Sequence, residues 1–94
     1  MALFDLLGRR WALGIIWNLA DGPLNFRQLQ ARCESVSPTV LNTRLKELRL
    51  SGIIQHGENG YFLTTVGHDL FSHLHPFGAW SEKWAETFLN ADQS

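Results

Sequence analysis

The stretch from Ser37 to Gly52 constrains this chain more than any other. Ser37-Pro38 is a strong helix start. Serine accepts hydrogen bonds from orphan backbone N–H groups, and proline at the first helical position forfeits an N–H that would have no partner. Leu41, Leu45 and Leu48 follow at i, i+4 and i+7, which places them in one apolar stripe. Gly52 stands where a helix end favours a left-handed residue. The predicted helix therefore runs from Ser37 to Ser51 and buries one face, so the flanking segments must supply the rest of a core.

The flanks read as short elements. Arg10 to Ala20 is predicted helical, with Trp11, Ile15 and either Leu13 or Trp17 at helical spacing, and Asp21-Gly22-Pro23 stops it. Leu24 to Phe26 allows only a brief extended segment. Asn25 with Gln28 three residues on is a capping-box pattern, opening a short helix before Cys33-Glu34. After Gly52, the β-prone runs Ile53–His56 and Tyr61–Thr64 flank Gly57-Glu58-Asn59-Gly60, which is turn chemistry. Thr64 or Thr65 caps a further amphipathic helix through Leu70, Phe71 and Leu74. Pro76 predicts a break, with a last helix to about Leu89 carrying Trp80, Trp84 and Phe88. The order is helix, brief strand, helix, helix, hairpin, helix. This is mainly α with a small β-hairpin, and two short helices followed by a two-stranded ribbon predict a winged helix-turn-helix. A chain of 94 residues supports one such domain over 1–94.

Charge is polarised along the chain. Residues 1–52 carry seven arginines and lysines against four carboxylates, and residues 53–94 carry one against five. One part is thus suited to phosphate and the other to a different task. The lone Cys33 excludes an internal disulfide framework and fits a reducing setting. No run is long and apolar enough for a membrane span. The apolar N-terminal residues precede Arg9-Arg10, the wrong order for a secretory signal, so the expectation is a soluble cytoplasmic protein. The carboxylates are scattered, with no phosphate-cradling glycine loop and no nucleophile elbow, which argues against an enzyme. His68, His73 and His75 do not converge on one helix face, since His68 and His73 lie about 140° apart. No metal site and no cofactor are expected.

The polar face of the Ser37–Ser51 helix suggests a partner. Opposite the leucine stripe stand Thr39, Asn42, Thr43 and Lys46, flanked by Arg44 and Arg49. Small hydroxyl and amide side chains near a helix N-terminus, here from Ser37 and Pro38 onward, can approach base edges in a major groove. Arg44, Lys46 and Arg49 are candidate phosphate contacts, and Arg27 and Arg32 could add others. The alternative for this face is a solvated stripe that keeps the chain soluble.

Three segments together resemble the HxlR family of bacterial transcription regulators. They are Leu7–Trp11, Gly22–Leu29, and the run Val36-Ser37-Pro38-Thr39-Val40-Leu41-Asn42-Thr43-Arg44-Leu45-Lys46-Glu47-Leu48. Tyr61–Gly67 looks like the strand-to-helix signature of that family, and Trp80 fits near the end. The resemblance implies a MarR-like homodimer built from the terminal helices, with each protomer placing the 37–51 helix in a major groove of double-stranded DNA. The chain departs from the family pattern in three ways. Nothing matches the cysteine usual near the N-terminus, the wing is cut to His56–Gly60 without lysine or arginine, and residue 50 is a leucine that helical projection puts on the polar face.

Aromatic residues gather at both ends of the chain: Phe4, Trp11 and Trp17, then Phe77, Trp80, Trp84 and Phe88. A small monomer would struggle to cover them, so they are the candidate dimer interface. A pocket for a small-molecule effector between protomers is the alternative for the tryptophans. A second reading of the whole chain also stays open. In it the winged helix is a protein–protein interaction module that binds no DNA, its wing pared back accordingly.

Overall fold

The computed structural model describes the backbone of residues 2–93 and the side-chain surroundings of residues 3–88. The order is α1 (Ala2–Leu7), α2 (Ala12–Leu19), α3 (Phe26–Arg32), α4 (Pro38–Leu50), β1 (Ile54–Gly57), β2 (Gly60–Leu63) and α5 (Thr65–Gln93). The fold is mostly helical with one antiparallel hairpin.

The core forms where the stripes meet. Ile15, Ile16 and Leu19 of α2, Leu29 of α3, and Leu41, Leu45 and Leu48 of α4 are buried together with Ile54 and Leu63 of the hairpin. Each such side chain contributes about 1.5–3 kcal/mol relative to exposure. Among the described residues no polar or charged residue is buried in this cluster.

Local chemistry sets the ends of α3 and α4. Asn25 and Gln28 form the reciprocal capping box, with both hydrogen bonds at 2.8 Å. The tight turn between the helices uses Glu34 and Ser35, both at φ 57°, and Gln30 Nε2 donates to the Val36 carbonyl at 2.9 Å across it. The Ser37 hydroxyl then accepts from the Val40 N–H at 3.2 Å, with Pro38 as the first helical residue. At the far end Gly52 takes φ 77°. Its N–H reaches the Arg49 carbonyl at 3.0 Å, and the Ile53 N–H reaches that of Leu48 at 3.1 Å. This is a Schellman stop.

The hairpin pairs Ile54 with Leu63 and Gly57 with Gly60, leaving only Glu58-Asn59 in the turn. Its turn end is pinned by Leu24, which exchanges hydrogen bonds of 3.0 and 2.8 Å with Tyr61. Gly60, at φ 112°, permits that approach, because a β-carbon there would lie 2.5 Å from the Leu24 carbonyl oxygen. Thr64 caps α5, its hydroxyl accepting from the Gly67 N–H at 3.0 Å.

Two expectations change. The helix expected over Arg10–Ala20 is shorter, since α2 begins after Trp11, which sits in the left-handed region at φ 76° without a side-chain cap. Residues 2–7 form a further helix, α1, where no element was expected, because Ala2–Leu7 carries no start signal. The second change is that Pro76 does not break α5. A proline there removes one backbone hydrogen bond. Trp17 packs across the position. Its ring meets Phe71 edge-on at 5.1 Å, stacks on His75 at 6.1 Å and lies against Gly78. Both sides of the proline are thereby held to one side chain of α2.

Candidate nucleic-acid interface

The two arms of the helix-turn-helix are α3 and α4. Thr39, Asn42, Thr43, Lys46 and Arg49 are all exposed on α4, opposite the buried leucines. The Thr43 hydroxyl donates to the Thr39 carbonyl at 2.9 Å, which fixes its rotamer and turns its lone pairs outward. Ser37 and Pro38 are exposed at the helix N-terminus, and Arg27 and Arg32 are exposed on α3. The structure therefore brings nine of the ten candidate DNA-facing positions, Pro38 among them, to accessible places on these two helices and their junction.

Arg44 is the exception. Its side chain is only 17% exposed. Its Nε donates to the Arg10 carbonyl at 3.0 Å, and its guanidinium pairs with Glu47. Glu47 also meets Arg9 at 3.0 Å. The guanidinium expected at phosphate is thus turned toward the α1–α2 turn. Its pairing with Glu47 joins residues three apart on one helix. The Arg10 carbonyl is 34 residues away in sequence.

At its C-terminal end the α4 face continues into an open groove of about 390 Å³, lined by Lys46, Arg49, Leu50, Ile54 and Gln55. Leu50 is 80% exposed there, as its position on the polar face predicts. The wing beyond contributes no lysine or arginine. His56 stacks flat on Tyr61 at 4.1 Å, and Glu58 is exposed in the turn.

The aromatic ends divide. Trp17 is 39% exposed and packs on Phe71 and His75, and Trp11 is half-buried against the core. Phe4, Phe77, Trp80, Trp84 and Phe88 are 49–70% exposed. Phe77 packs beside Trp80 at 5.7 Å and Trp84 beside Phe88 at 5.4 Å, so α5 carries an aromatic band of two ring pairs in solvent.

Cys33 is buried, and burial foremost, with Glu34 second, pushes its thiol up from the ordinary cysteine range. Among the described residues no cluster of histidine, cysteine or carboxylate groups could hold a metal ion, and no helix is long and apolar enough to cross a membrane.

A helix-turn-helix whose second helix is apolar inward and polar and cationic outward, with a hairpin behind it, is the architecture of a DNA-binding transcription regulator. Comparison with known proteins agrees. The chain belongs to the HxlR-like helix-turn-helix family, whose sequence model matches residues 6–88. It is similar to the HTH-type transcriptional regulator YvaP of Bacillus subtilis, at 31% identity over 92% of this chain and 87% of that one. It is also similar to the crystal structure of quinone-bound YodB from B. subtilis. That match has a TM-score of 0.79 and 34% identity, and covers 87% of this chain and 93% of YodB. The reduced form of YodB matches with a TM-score of 0.79 at 31% identity, over 92% and 91% of the two chains. These relatives are regulators of transcription rather than enzymes.

Proposed function

We propose that this chain is a homodimeric, sequence-specific DNA-binding regulator that inserts α4 into the major groove and works in the bacterial cytoplasm. The observation that carries the reading is the face of α4. Thr39, Asn42 and Thr43 stand exposed near its N-terminus, with Lys46 and Arg49 behind them. Short polar side chains reach base edges, and the cations neutralise phosphates.

Shape and surface support a second copy as partner. The radius of gyration is 14.6 Å, against about 12 Å for a compact chain of this length. The excess comes from α5, whose second half stands away from the core and bears the aromatic band. Pairing that band, together with Phe4 of α1, with the same surface of another copy removes it from water and gives two reading helices related by a two-fold axis.

The cation-free wing favours one rival, a winged helix that binds protein instead of DNA. A selection of random duplexes with the purified protein separates the two. Enrichment of a pseudo-palindromic sequence, bound with steep salt dependence, supports DNA recognition. No salt-sensitive binding at micromolar dimer refutes it and leaves the rival.

The quinone in the YodB structure concerns YodB. In this chain the single cysteine is buried and its thiol is biased toward the protonated form, which gives little support to thiol sensing.

A further inference from the structure

The cluster joining Arg9, Glu47, Arg44 and the Arg10 carbonyl lies outside the DNA-facing surface, yet it ties the reading helix to the N-terminal helix. Glu47 is the hub. One carboxylate oxygen takes the Arg44 guanidinium within α4, and the other takes Arg9 Nε at 3.0 Å from the turn after α1. Arg44 closes the ring by donating to the Arg10 carbonyl at 3.0 Å. Directly after that carbonyl the chain passes through Trp11 at φ 76°. A non-glycine residue is held in that region only when its surroundings over-determine it. The three interactions therefore fix two things together: the turn that aims α1, and the mid-to-late part of α4.

Energy is not the main effect. Arg9 is 53% exposed at its side chain and Glu47 26%, and pairs with this exposure add little to stability. Geometry is different. The buried face of α4 is the narrow stripe Leu41, Leu45 and Leu48, and Glu47 stands on its flank. A two-sided carboxylate clamp there restrains rotation of the helix.

We propose that Glu47 is a positioning residue for DNA recognition. Through Arg9 and Arg44 it fixes the angle between α1 and α4, and so the distance between the two reading helices of a dimer. The inference rests on the reading of the chain as a DNA-binding dimer in which α1 takes part in the interface. It assigns Glu47 no contact with DNA.

The test uses half-site spacing, which the angle controls and overall stability does not. A duplex enriched from a random pool by the wild-type protein is remade with its half-sites one base pair closer and one base pair further apart. Affinity is then measured for wild type, Glu47→Gln and Arg9→Gln. Glu47→Gln keeps the side chain's shape and removes its charge, and Arg9→Gln breaks the clamp from the exposed side with no demand on the core. Both variants are expected to lose about two- to fivefold of the preference for the original spacing, the range such ion pairs are worth. Retention of the full wild-type preference by both folded variants overturns the positioning role alone. Failure of the wild type to prefer any spacing, or to bind, overturns the role together with the dimeric reading beneath it. Should Glu47→Gln melt early, Arg9→Gln decides by itself.

Discussion

Lys46 and Arg44 carry the same charge two residues apart, and the fold gives them opposite surroundings. Lys46 stands exposed on the polar face of α4. Arg44 is 17% exposed and spent on Glu47 and the Arg10 carbonyl. Salt dependence separates them. Each phosphate neutralised adds about 0.9 to the slope of log K against log salt, because counterions leave the duplex. A dimer carries each residue twice, so Lys46→Ala should lower the slope by about 1.8. Between about 50 and 200 mM salt, the wild type should then lose about tenfold more affinity than the variant does. Arg44→Ala should weaken binding by loosening α4 while leaving the slope at the wild-type value. Fluorescence anisotropy on a labelled duplex across that salt range measures both. A duplex of arbitrary sequence suffices, since the phosphate contribution does not depend on sequence. Equal loss of slope in the two variants would refute the inward assignment of Arg44, and an unchanged slope in Lys46→Ala would remove α4 from the phosphate backbone.

The remaining predictions concern the scaffold and the interface. Gly60→Ala should cost about 3–4 kcal/mol by urea unfolding, since it combines backbone strain with loss of the paired Leu24–Tyr61 hydrogen bonds. Gly52→Ala, at φ 77° but with open space around its β-carbon, should cost about 1 kcal/mol. Cys33 in the folded chain should react with an aromatic disulfide reagent near pH 8 far more slowly than free cysteine, because a raised pKa leaves less thiolate at any given pH. Unfolding in guanidinium should restore the normal rate. Replacing Trp80 and Trp84 together by serine should convert a dimer to a monomer by analytical ultracentrifugation, with near-native helicity, since both rings are about half-exposed in the single chain.

Elements with their own start and stop chemistry were legible in the sequence. Asn25–Gln28, Ser37-Pro38, Gly52 and the hairpin turn each act through neighbours within a few residues, so spacing alone reveals them. The polar face of α4 was legible for the same reason, because a helix of known phase projects its residues onto known faces. What the sequence hid depends on distant partners. Pro76 reads as a break until Trp17, 59 residues earlier, is seen to pack on both sides of it. Arg44 reads as a phosphate ligand until the turn at Arg10 supplies an acceptor. The boundary at Trp11 was missed because a left-handed tryptophan is set by tertiary packing and has no local signature.

The asymmetry of charge, the bare wing and the aromatic helix follow from one arrangement. If α5 pairs with a second α5 through Phe77, Trp80, Trp84 and Phe88, then Glu82 and Glu86, exposed on that helix, edge the seam with negative charge. Phosphate is repelled from the seam and from Glu58 in the wing turn, and it is attracted to Arg27, Arg32, Lys46 and Arg49. In that arrangement the proposed approach for a duplex is across α3 and α4. A basic wing would add affinity for any sequence, since phosphate contacts carry no base information. On the proposed docking, the absence of such a wing would raise the share of binding that depends on base edges at Thr39, Asn42 and Thr43. The short wing with its single Glu58 would then lower total affinity while shifting the balance of what remains toward sequence.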